Sequence, residues 1–440
     1  MARRHRGDAG WLFLYDLAWL PAAMARAAIE TLANPCGAPR SLAERLGWVG
    51  SSPESANPTI WFHAVSVGEL LSIAPVLERL HRARPTWRCV ISVGNVPARR
   101  LAEARFCPRL ADRVFLLPWD MGALVRRAVA RVRPTLFVIV ECELWPNLIV
   151  QVTRTSCALI AINARIYDRD YRRYRAAARL FGPWLRRFAA IAARSPLEAE
   201  RFRALGADPS TIYVGGSSKP DAALEARTDG DLPWRALMGD GPMWVLASTH
   251  PGEEDAVLAR AATLYQAHPR LRLVVVPRDP RRAQGLVAAF SRAGYRARPL
   301  ALATTDGTTD VLVVDRLGEL ASAVRAADLV FIGGTLAPRG GQTPLEAAAA
   351  ARAILVGPSR AHFAAESARL AEAAAWVEVE DADALVHAAV RLLADSEARA
   401  DLGRRARAVV EAEAGVASRL AERVVALVEG VTRHRVGLVH

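Results

Sequence analysis

The chain has 440 residues and is 52% hydrophobic, enough to bury two sizeable cores, so two domains are expected. Its formal charge of +13 at pH 7 favours an anionic partner. No zinc-finger, RNP or basic-zipper pattern accompanies the scattered arginines, so that partner is not expected to be nucleic acid. The five cysteines include no C-x-x-C pair, which argues against a disulfide framework and a zinc site and fits a reducing cytoplasm.

The first 32 residues form an apolar segment with a basic start. Charged residues and Pro21 interrupt the apolar run, whereas a plain bilayer span needs about 20 apolar residues in a row. On a helix at roughly 100° per residue, Asp16, Arg26 and Glu30 fall on one stripe and leave Trp and Leu around most of the circumference. This pattern favours a helix in the membrane interface, with its basic start at anionic head groups. The alternative is a helix docked on the protein's own surface.

Short apolar runs rich in β-branched residues alternate with helical stretches, which is the pattern of parallel βαβ units. The predicted strands of the first half are 60–65, 90–93, 114–117, 136–140, 159–162 and 211–214. Those of the second half are 244–247, 273–276, 311–314, 329–332 and 354–356. After Asp381, alanine, leucine and arginine recur at helical spacing, broken at Gly415 and Gly430. The sequence therefore predicts an α/β fold of two doubly wound domains, with closing helices that pack across both.

These patterns also predict domain boundaries. Residues 1–32 are the membrane-associated segment, 33–221 the first Rossmann-like domain, 222–232 a polar linker, and 233–440 the second Rossmann-like domain with the closing helices. A cleft between the strand ends of two such domains is a natural site for a nucleotide-linked donor and an acceptor. Unrelated α/β proteins share this architecture, so the fold alone does not decide the function.

Lys219 is the only lysine among 58 basic residues. It follows residues 215–218, Gly-Gly-Ser-Ser, and precedes Pro220-Asp221, which predicts a tight loop after a short strand. An ammonium is a compact point charge on a flexible stem, and a planar guanidinium does not replace it freely. The pattern indicates a functional lysine at a strand end, and the alternative is a single lysine that survived a compositional bias.

A carboxylate stands at the first strand-to-helix corner. Ser66 is a candidate N-cap, and Glu69 lies three residues later, in the S-x-x-E relation of a capping box. Capping is one interpretation of Glu69. The other places its carboxylate in the predicted cleft, where it could accept a proton from a sugar hydroxyl, because a general base needs reach first and a suitable pKa second.

Glu141 and Glu143 directly follow the predicted buried strand 136–140. Two carboxylates beside an apolar strand end are costly unless they are solvated or paired, so at least one is expected to face a polar cleft. Arg165, in Asn163-Ala164-Arg165 after the next strand, could supply a charge partner. A plain Glu-Arg salt bridge between these loops is the alternative to a functional role.

The second half carries candidate anion sites at strand ends. Pro277 and Arg278 close one strand with a rigid turn and a guanidinium, which suits bidentate phosphate binding. Gly318 and Glu319 follow another strand. Because no G-x-x-x-x-G-K-[ST] occurs, these sites do not indicate a Walker-type ATPase.

A glycine-rich stretch at 333–343 opens a predicted helix. Thr343 is a candidate N-cap and Pro344 the first helical residue, and free backbone N–H groups there would favour a phosphate. Glu346, in the first turn, is poorly placed for phosphate but suited to accept ribose hydroxyls. With the other two strand ends, this loop predicts a nucleotide site.

Taken together, the motifs resemble the Kdo transferases, which are membrane-associated GT-B glycosyltransferases. They move 3-deoxy-D-manno-octulosonic acid (Kdo) from CMP-Kdo onto a lipid A precursor. The residues that carry the resemblance are His63-Ala64-Val65-Ser66-Val67-Gly68-Glu69, Glu143-Leu144-Trp145-Pro146-Asn147-Leu148, Asn163-Ala164-Arg165, Ser248-Thr249-His250, Val276-Pro277-Arg278, Gly318-Glu319-Leu320 and Pro344-Leu345-Glu346. The resemblance covers nearly the whole chain.

The resemblance implies a metal-independent inverting transferase without a cofactor, in which Glu69 accepts the proton and Glu141 and Lys219 support the transition state. The residues that it places against CMP are Pro277, Arg278, Leu317, Gly318, Glu319, Thr343, Pro344, Leu345 and Glu346. It implies CMP-Kdo and a lipid A precursor as substrates, on the cytoplasmic side of a bacterial inner membrane. The alternatives are another GT-B transferase that uses a UDP-sugar, and a non-catalytic membrane-bound nucleotide- or lipid-binding protein.

The chain departs from the family pattern at several loops. Ser218 and Pro220 flank the lysine where the family has Leu and Phe, which predicts a different loop shape. Asp279 stands in place of a His after Pro-Arg, and Gln342-Thr343 in place of His-Asn. Residues 94–97, Gly-Asn-Val-Pro, replace a Thr-Pro-Thr-Gly stretch, which bears on contacts to the acceptor.

Overall fold

The chain divides into two compact units, the first comprising residues 1–222 and 415–440 and the second residues 223–414. The computed structural model describes residues 6–33, 35–51, 57–141, 143–226 and 232–436. Each unit contains one parallel sheet of seven strands, with helices in the connections between strands. The predicted α/β class with two doubly wound sheets is therefore confirmed.

The strands of the two sheets follow one another along the chain. The first sheet consists of β1 Thr59–Ala64, β2 Arg88–Val93, β3 Arg113–Leu116, β4 Leu136–Val140, β5 Ala158–Ala164, β6 Ala190–Ala193 and β7 Ile212–Val214. The second consists of β8 Met243–Thr249, β9 Arg272–Pro277, β10 Ala297–Pro299, β11 Val311–Val313, β12 Leu329–Ile332, β13 Ala353–Val356 and β14 Val377–Glu378. Their orders are β3-β2-β1-β4-β5-β6-β7 and β10-β11-β9-β8-β12-β13-β14.

The helices alternate with these strands. The first eleven are α1 Arg6–Ala33, α2 Ala38–Arg45, α3 Val67–Ser72, α4 Ala74–Ala83, α5 Val96–Phe106, α6 Gly122–Val132, α7 Pro146–Thr153, α8 Asp168–Ala176, α9 Ala178–Leu185, α10 Pro196–Ala204 and α11 Lys219–Leu224. The others are α12 Trp234–Met238, α13 Glu253–Leu258, α14 Ala261–Ala267, α15 Ala283–Arg292, α16 Leu320–Ala326, α17 Leu345–Ala349, α18 Ala364–Glu372, α19 Ala382–Ala394, α20 Ser396–Ala412 and α21 Val416–Val436. Short 3₁₀ helices lie at Pro35–Gly37, Pro209–Thr211, Pro280–Arg282, Leu300–Leu302 and Ala361–Phe363.

Every predicted strand is present, with its ends displaced by at most two residues. Three strands are not predicted by the sequence patterns. One is β6, which reads Ala-Ile-Ala-Ala and has a single β-branched residue, so its strand signal is weak. The other two, β10 and β14, lie at the edges of the second sheet and contain only 3 and 2 residues.

Both faces of the first sheet are covered, and all six residues of β1 are buried. Successive side chains of a strand point to opposite faces, so β1 divides its residues between two cores. Trp61 packs on one face with Phe115 and Phe137, at ring-centroid distances of 5.3 and 4.7 Å. Ile60 and Phe62 pack on the other. Burial on both faces explains why the strands read as continuous apolar runs.

The last helix, α21, belongs to the first unit, although the sequence analysis grouped residues 233–440 in the second domain. Val416, Leu420 and Val424 of α21 are buried in a core of the first sheet, which holds the helix there. The chain breaks at Gly415, as predicted, but α21 continues through Gly430 to Val436. A single glycine costs a helix only about 1 kcal/mol relative to alanine, and the buried face of α21 offsets that cost.

Two further predictions fall partly outside the described residues. The predicted linker 222–232 overlaps the end of α11 and includes residues 227–231, which are not among those described. Four cysteines, Cys36, Cys89, Cys107 and Cys157, are free thiols. The fifth, Cys142, lies outside the described part of the chain.

Helix α1 turns Asp16 and Glu30 of its polar stripe toward the protein and most of its large apolar side chains outward, while Arg26 is exposed. Asp16 accepts hydrogen bonds from the Gly122 amide at 3.2 and 3.1 Å, and Glu30 forms a 2.9 Å ion pair with Arg45. The exposed apolar side chains are Phe13, Leu14, Leu17, Leu20, Met24, Ile29 and Leu32. Residues Gly10–Leu32 are long and apolar enough to cross a membrane by length and composition. The docked helix and the apolar outer surface, which the sequence analysis treated as alternatives, thus coexist.

Asp221 caps the start of α21, and its loss should destabilise the first unit. Its buried carboxylate accepts hydrogen bonds from the Gly415 and Ala417 amides, at 2.8 and 3.3 Å. Asp221→Ala strands both donors, so we expect urea denaturation to show a loss of about 2 kcal/mol. The matched control is Asp395→Ala, which removes the exposed cap of α20 at Ala398 (2.8 Å) and should cost about 1 kcal/mol. Equal losses in the two variants would contradict the role assigned to Asp221.

Candidate active site

The winding of the first sheet reverses between its neighbouring strands β1 and β4. In open α/β sheets, ligands bind outside the carboxyl ends of strands at such a reversal. Glu69 follows β1, and Glu141 and Glu143 follow β4. The carboxylates that the sequence singled out therefore lie at the switch point of the first unit.

Glu69 occupies the first turn of α3 and makes the predicted capping contacts. Its amide donates to Ser66 Oγ at 3.2 Å, and its carboxylate accepts from the Val65 amide and the Ser66 hydroxyl, at 2.8 and 2.9 Å. These contacts fix the carboxylate at the corner. Each carboxylate oxygen has two lone pairs, so both oxygens keep a free acceptor site. Capping and proton transfer are therefore compatible at Glu69.

Glu141 pairs with Lys219, whose ammonium lies 2.5 Å from Glu141 Oε1. The carboxylate is 8% exposed, and the hydroxyl of Tyr167 donates to its second oxygen at 3.5 Å. Lys219 begins α11, so the pair connects the ends of β4 and β7. From its position after the next strand, Arg165 was the predicted charge partner of this loop. The guanidinium of Arg165 instead lies over the ring of Tyr167, 4.1 Å from its centroid.

Glu143 accepts a hydrogen bond from the Trp145 indole at 2.5 Å. Burial raises the pKa of Glu143 to about 8, and the nearby charges of Glu69 and Glu141 add to the rise, whereas the Trp145 contact lowers it. A salt bridge between Glu143 and Arg165 was the alternative considered from sequence. The structure gives Glu143 an indole partner, and Arg165 lies on Tyr167.

Burial also raises the pKa of Glu69, to about 7. The charge of Glu141 contributes to this rise, while the Val65 and Ser66 hydrogen bonds and the charge of Lys219 lower the pKa. A carboxylate with a pKa near neutral is suited to accept a proton at physiological pH, because general bases work best when their pKa lies near the operating pH. The switch point thus combines a tuned carboxylate with a lysine and its counter-ion.

A buried polar cluster that the sequence analysis did not find fixes the loop before Lys219. Asn163, at the end of β5, donates to the hydroxyls of Ser218 and Ser72, at 2.9 and 3.2 Å. The Ser218 amide donates back to Asn163 Oδ1 at 2.9 Å, and its hydroxyl donates to the Ser72 carbonyl at 2.6 Å. Ser72 in turn donates to the Glu69 carbonyl at 2.6 Å. Ser218, a departure from the family pattern, therefore ties the lysine loop to the helix of Glu69.

The loop after β2, another departure, is closed against β1. The Gly94 amide donates to the Val65 carbonyl at 3.2 Å, and a Cβ on Gly94 would lie 2.7 Å from that oxygen. Asn95 caps α5 by accepting from the Ala98 amide at 2.9 Å. Gly94 and Asn95 therefore stabilise the local structure at the carboxyl end of β2.

In the second unit, the residues predicted to bind a nucleotide also follow strand ends of one sheet. Pro277 ends β9, residues 317–319 follow β11, and residues 343–346 follow β12. With β8, these strands are neighbours in the order β11-β9-β8-β12. All are parallel, so their carboxyl ends lie at one edge of the sheet. The structure thus groups the predicted nucleotide residues at the switch point between β8 and β12.

Arg278 differs from the other arginines of its turn. Arg281 forms an ion pair with Asp279 at 2.7 Å, and Arg282 forms a bidentate pair with Glu254 at 2.8 and 2.9 Å. Arg278 is exposed, and among the described residues its guanidinium has no hydrogen-bond or ion-pair partner. The neighbouring acids are thus engaged, and Arg278 is left available to an anion.

The glycine-rich loop corrects one expectation, that its backbone N–H groups are free for a phosphate. Glu253, 3% exposed in the first turn of α13, accepts from the His250 and Gly334 amides at 2.9 and 2.8 Å. It also accepts from the Leu336 and Ala337 amides, at 3.1 and 3.3 Å. A carboxylate of the protein therefore occupies these donors and holds the loop. The available signal was an acid in a first turn after a strand, a position that also fits ordinary capping.

The start of α17 also differs from the prediction by one residue. The helix begins at Leu345 with Pro344 as its N-cap, and Thr343 Oγ1 accepts from the Leu345 amide at 3.4 Å. Thr343 thus makes the contact of an N-cap side chain with the second residue after it, although the helix itself starts one residue later than predicted. In the other loop, Glu319 is the N-cap of α16, and its carboxylate pairs with Arg316 at 2.8 Å. Leu317 is 64% exposed.

Comparison with known proteins identifies the family. Residues 40–222 match the family model described as 3-deoxy-D-manno-octulosonic-acid transferase (kdotransferase). The chain is 30% identical over 386 residues to the 3-deoxy-D-manno-octulosonic acid transferase of Haemophilus influenzae, covering 86% of this chain and 89% of that one. The transferase of the same name from Bordetella pertussis is 31% identical over 389 residues, covering 85% and 89%. The chain belongs to the Kdo transferase family.

The resemblance read from the motifs, and the predicted class of enzyme, a glycosyltransferase, are therefore confirmed. Among solved structures, a putative UDP-N-acetylglucosamine 2-epimerase from Listeria monocytogenes is similar, with a TM-score of 0.59 and 14% identity. The match covers 86% of this chain and 98% of the epimerase. This likeness concerns the fold alone and supports the GT-B class. Within the transferase, the family model covers residues 40–222, which include Glu69, Glu141 and Lys219.

The raised pKa of Glu143 predicts a pH-dependent stability. Its folded value, about 8, lies above the ordinary value of 4.5, so folding favours the protonated carboxyl. The contribution of Glu143 to the free energy of unfolding is therefore fully present below about pH 4.5 and is lost as the pH rises toward 8. Glu143→Gln has no titratable group at this position. The melting temperature of the variant, relative to that of the wild type, should therefore rise between pH 5 and pH 8.5. A constant difference between the two proteins would contradict the pKa; Glu200→Gln, at an exposed position on α10, is the matched control.

Proposed function

We propose that this Kdo transferase moves Kdo from CMP-Kdo to a lipid A precursor by a metal-independent inverting mechanism. The observation that carries the proposal is the arrangement at the switch point of the first unit. A carboxylate with a pKa of about 7, Glu69, lies near the charges of Glu141 and Lys219. Membership of the family indicates the class of reaction, and these residues would provide the general base and the charges that the reaction needs.

In this mechanism Glu69 removes the proton from an acceptor hydroxyl as that oxygen attacks the anomeric carbon of Kdo. The bond between this carbon and the CMP phosphate oxygen breaks, and CMP leaves with the electron pair. A single displacement of this kind inverts the anomeric centre. The Val65 and Ser66 contacts hold the carboxylate in place, which limits the reorganisation needed at the moment of transfer.

Lys219 would supply positive charge to the carboxylate of Kdo or to the departing phosphate. Charge placed in advance where it develops in a transition state is often the largest single contribution to catalysis. Glu141 orients the ammonium through the 2.5 Å ion pair. In the second unit, Arg278 would hold the CMP phosphate, since its guanidinium is exposed and its neighbours are paired with one another.

Helix α1 supports a membrane location for this reaction. Its apolar residues face outward while Asp16 and Glu30 contact the protein, the reverse of a helix that stabilises a soluble core. Such a helix can bury its outer face at the boundary of head groups and acyl chains. We propose that it seats the enzyme on the cytoplasmic side of a bacterial inner membrane, where an acylated and phosphorylated acceptor would be within reach.

The proposal is tested by incubating the purified enzyme with CMP-Kdo and a lipid A precursor in detergent, and by reading the product mass. We expect Kdo to be added by the wild type, and Glu69→Gln to reduce the rate at least about 100-fold with CMP binding retained, because the base is lost. Transfer from a UDP-sugar but not from CMP-Kdo would contradict the donor. Nucleotide binding without any transfer would favour a binding protein.

The control for Glu69→Gln is Glu198→Gln. Glu198 stands three residues after Ser195 in a second S-x-x-E capping pattern of the same unit, and its amide donates to Ser195 Oγ at 3.3 Å. The Glu198 carboxylate accepts from the Ile166 amide at 2.7 Å, as that of Glu69 accepts from the Val65 amide, so each variant alters a first-turn carboxylate that accepts a backbone amide from an earlier residue. Equal losses of transfer would show that the effect of Glu69 arises from capping, and full activity in Glu69→Gln would refute its role as base.

Lys219→Arg should be strongly impaired although the positive charge is kept. A guanidinium is planar and larger than an ammonium, so it cannot keep the 2.5 Å single-point contact to Glu141 within the fixed Ser218 loop. A displacement of about 1 Å can cost on the order of 100-fold in rate. Single-turnover rates of the wild type, Lys219→Arg and Lys219→Ala measure the effect. Arg84→Lys, which changes the cation paired with Glu429, is the matched swap; a wild-type rate in Lys219→Arg would show that only charge matters.

A further inference from the structure

Helix α1 makes polar contacts with the loop that carries the Glu143-Leu-Trp-Pro-Asn motif. Asp16 accepts a hydrogen bond from the Asn147 side chain at 2.7 Å, in addition to those from the Gly122 amide. The same Asn147 side chain donates to the Asp120 carbonyl at 2.8 Å. Asp16 thus joins the start of α6 to the start of α7, where the motif ends.

An aromatic contact continues from α1 toward the carboxylates. The ring of Trp19 lies 5.9 Å from that of Trp145, centroid to centroid, at an angle of 58°. Trp19 is itself fixed, because its indole donates to the Tyr15 hydroxyl at 2.6 Å. Trp145 in turn donates its indole N–H to Glu143. A ring contact and a hydrogen bond therefore connect Trp19 of α1, through Trp145, to Glu143.

Close packing leaves this connection little freedom. A Cβ on Gly122 would lie 3.1 Å from Asn147 Oδ1 and 3.3 Å from Asp16 Oδ2. The Asn147 and Leu148 amides are held by the buried Asp120 carboxylate, at 3.1 and 2.8 Å. The residues that follow Trp145 are thus fixed by Asp120, whereas the Trp145 ring receives its contact from Trp19. Movement of α1 would act first on that ring.

We propose that α1 is a positioning element of the active site: Asp16 fastens α1 to Asn147 and Gly122, and Trp19 of the fastened helix packs on Trp145, so that the Trp145 indole keeps Glu143 in place. The proposal rests on the proposed function in that Glu143 is assumed to lie at the site of transfer. It divides α1 into two surfaces with separate tasks. The outer surface seats the enzyme on the membrane, and the inner surface orders a loop of the site.

The test uses the full chain and a lipid A precursor in detergent micelles, where attachment to a bilayer does not limit the rate. Asp16→Ala and Trp19→Ala should each lower kcat roughly 10- to 100-fold, the size of effect that a small misplacement at a distance produces. The KM for CMP-Kdo should stay at the wild-type value. Trp19→Phe keeps a ring against Trp145 and should restore most of the rate.

The matched control is Glu30→Ala. Glu30 also ties α1 to the protein, through its 2.9 Å pair with Arg45, but its partner is in α2. If any loosening of α1 were enough, Glu30→Ala would lose activity as Asp16→Ala does, and the proposed route through Trp145 would be wrong. We expect kcat near the wild-type value in Glu30→Ala.

A double-mutant cycle distinguishes a route through Trp145 from a general loss of folding. Trp145→Phe removes the donor to Glu143, so adding Asp16→Ala to it should cost little more, because groups that act through one contact are not additive. Losses that multiply in the double variant would overturn the proposal, as would a wild-type kcat in Asp16→Ala. Absence of transfer in the wild type would instead refute the proposed function, so the two failures are distinguishable.

Discussion

The ion pair between Lys219 and Glu141 is the contact on which the site of the first unit depends. Burial disfavours the charged forms of Glu69 and Glu143, and the negative charge of Glu141 raises both pKa values further. The ammonium of Lys219 opposes this effect at Glu69. A buried carboxylate left without its cation would be costly, so loss of Lys219 would destabilise the loop that carries Glu141. The Lys219–Glu141 pair thus affects both the position of this loop and the pKa values of the neighbouring carboxylates.

The backbone around this pair is strained where the site needs it. Glu141 and Asn163 both have positive φ, 60° and 52°, although neither is glycine. Such conformations cost on the order of 1 kcal/mol or more and persist where the surroundings determine them. Here Lys219 holds the side chain of Glu141, and Ser218 holds that of Asn163. In the second unit Ser248, with φ of 57°, lies at the corresponding end of β8.

Sequence patterns located most of the fold and several site residues because these depend on local signals. Continuous apolar runs marked the central strands, and the S-x-x-E spacing gave the cap at Glu69. The alanine-rich β6 and the return of α21 to the first unit carry no such signal, since they depend on packing between distant segments. The same holds for Glu253, whose partners lie about 80 residues away in the sequence, at Gly334 and Leu336. Periodicity found the polar stripe of α1 but could not tell whether it faced water or the protein.

The contacts that the arginines make give a physical reason for the near absence of lysine. Many arginines act as two-point ties: Arg45 reaches the Leu117 and Gly94 carbonyls, at 2.8 and 2.7 Å, and Arg272 reaches the Thr309 and Gly307 carbonyls, both at 2.9 Å. A rigid fork suits that task, because several donors in one plane can hold two loops. At the end of β4 the requirement is different. One carboxylate oxygen receives one donor from a short loop, and the remaining protons of the ammonium would serve the substrate anion in the function that we propose, so a lysine meets both demands at Lys219.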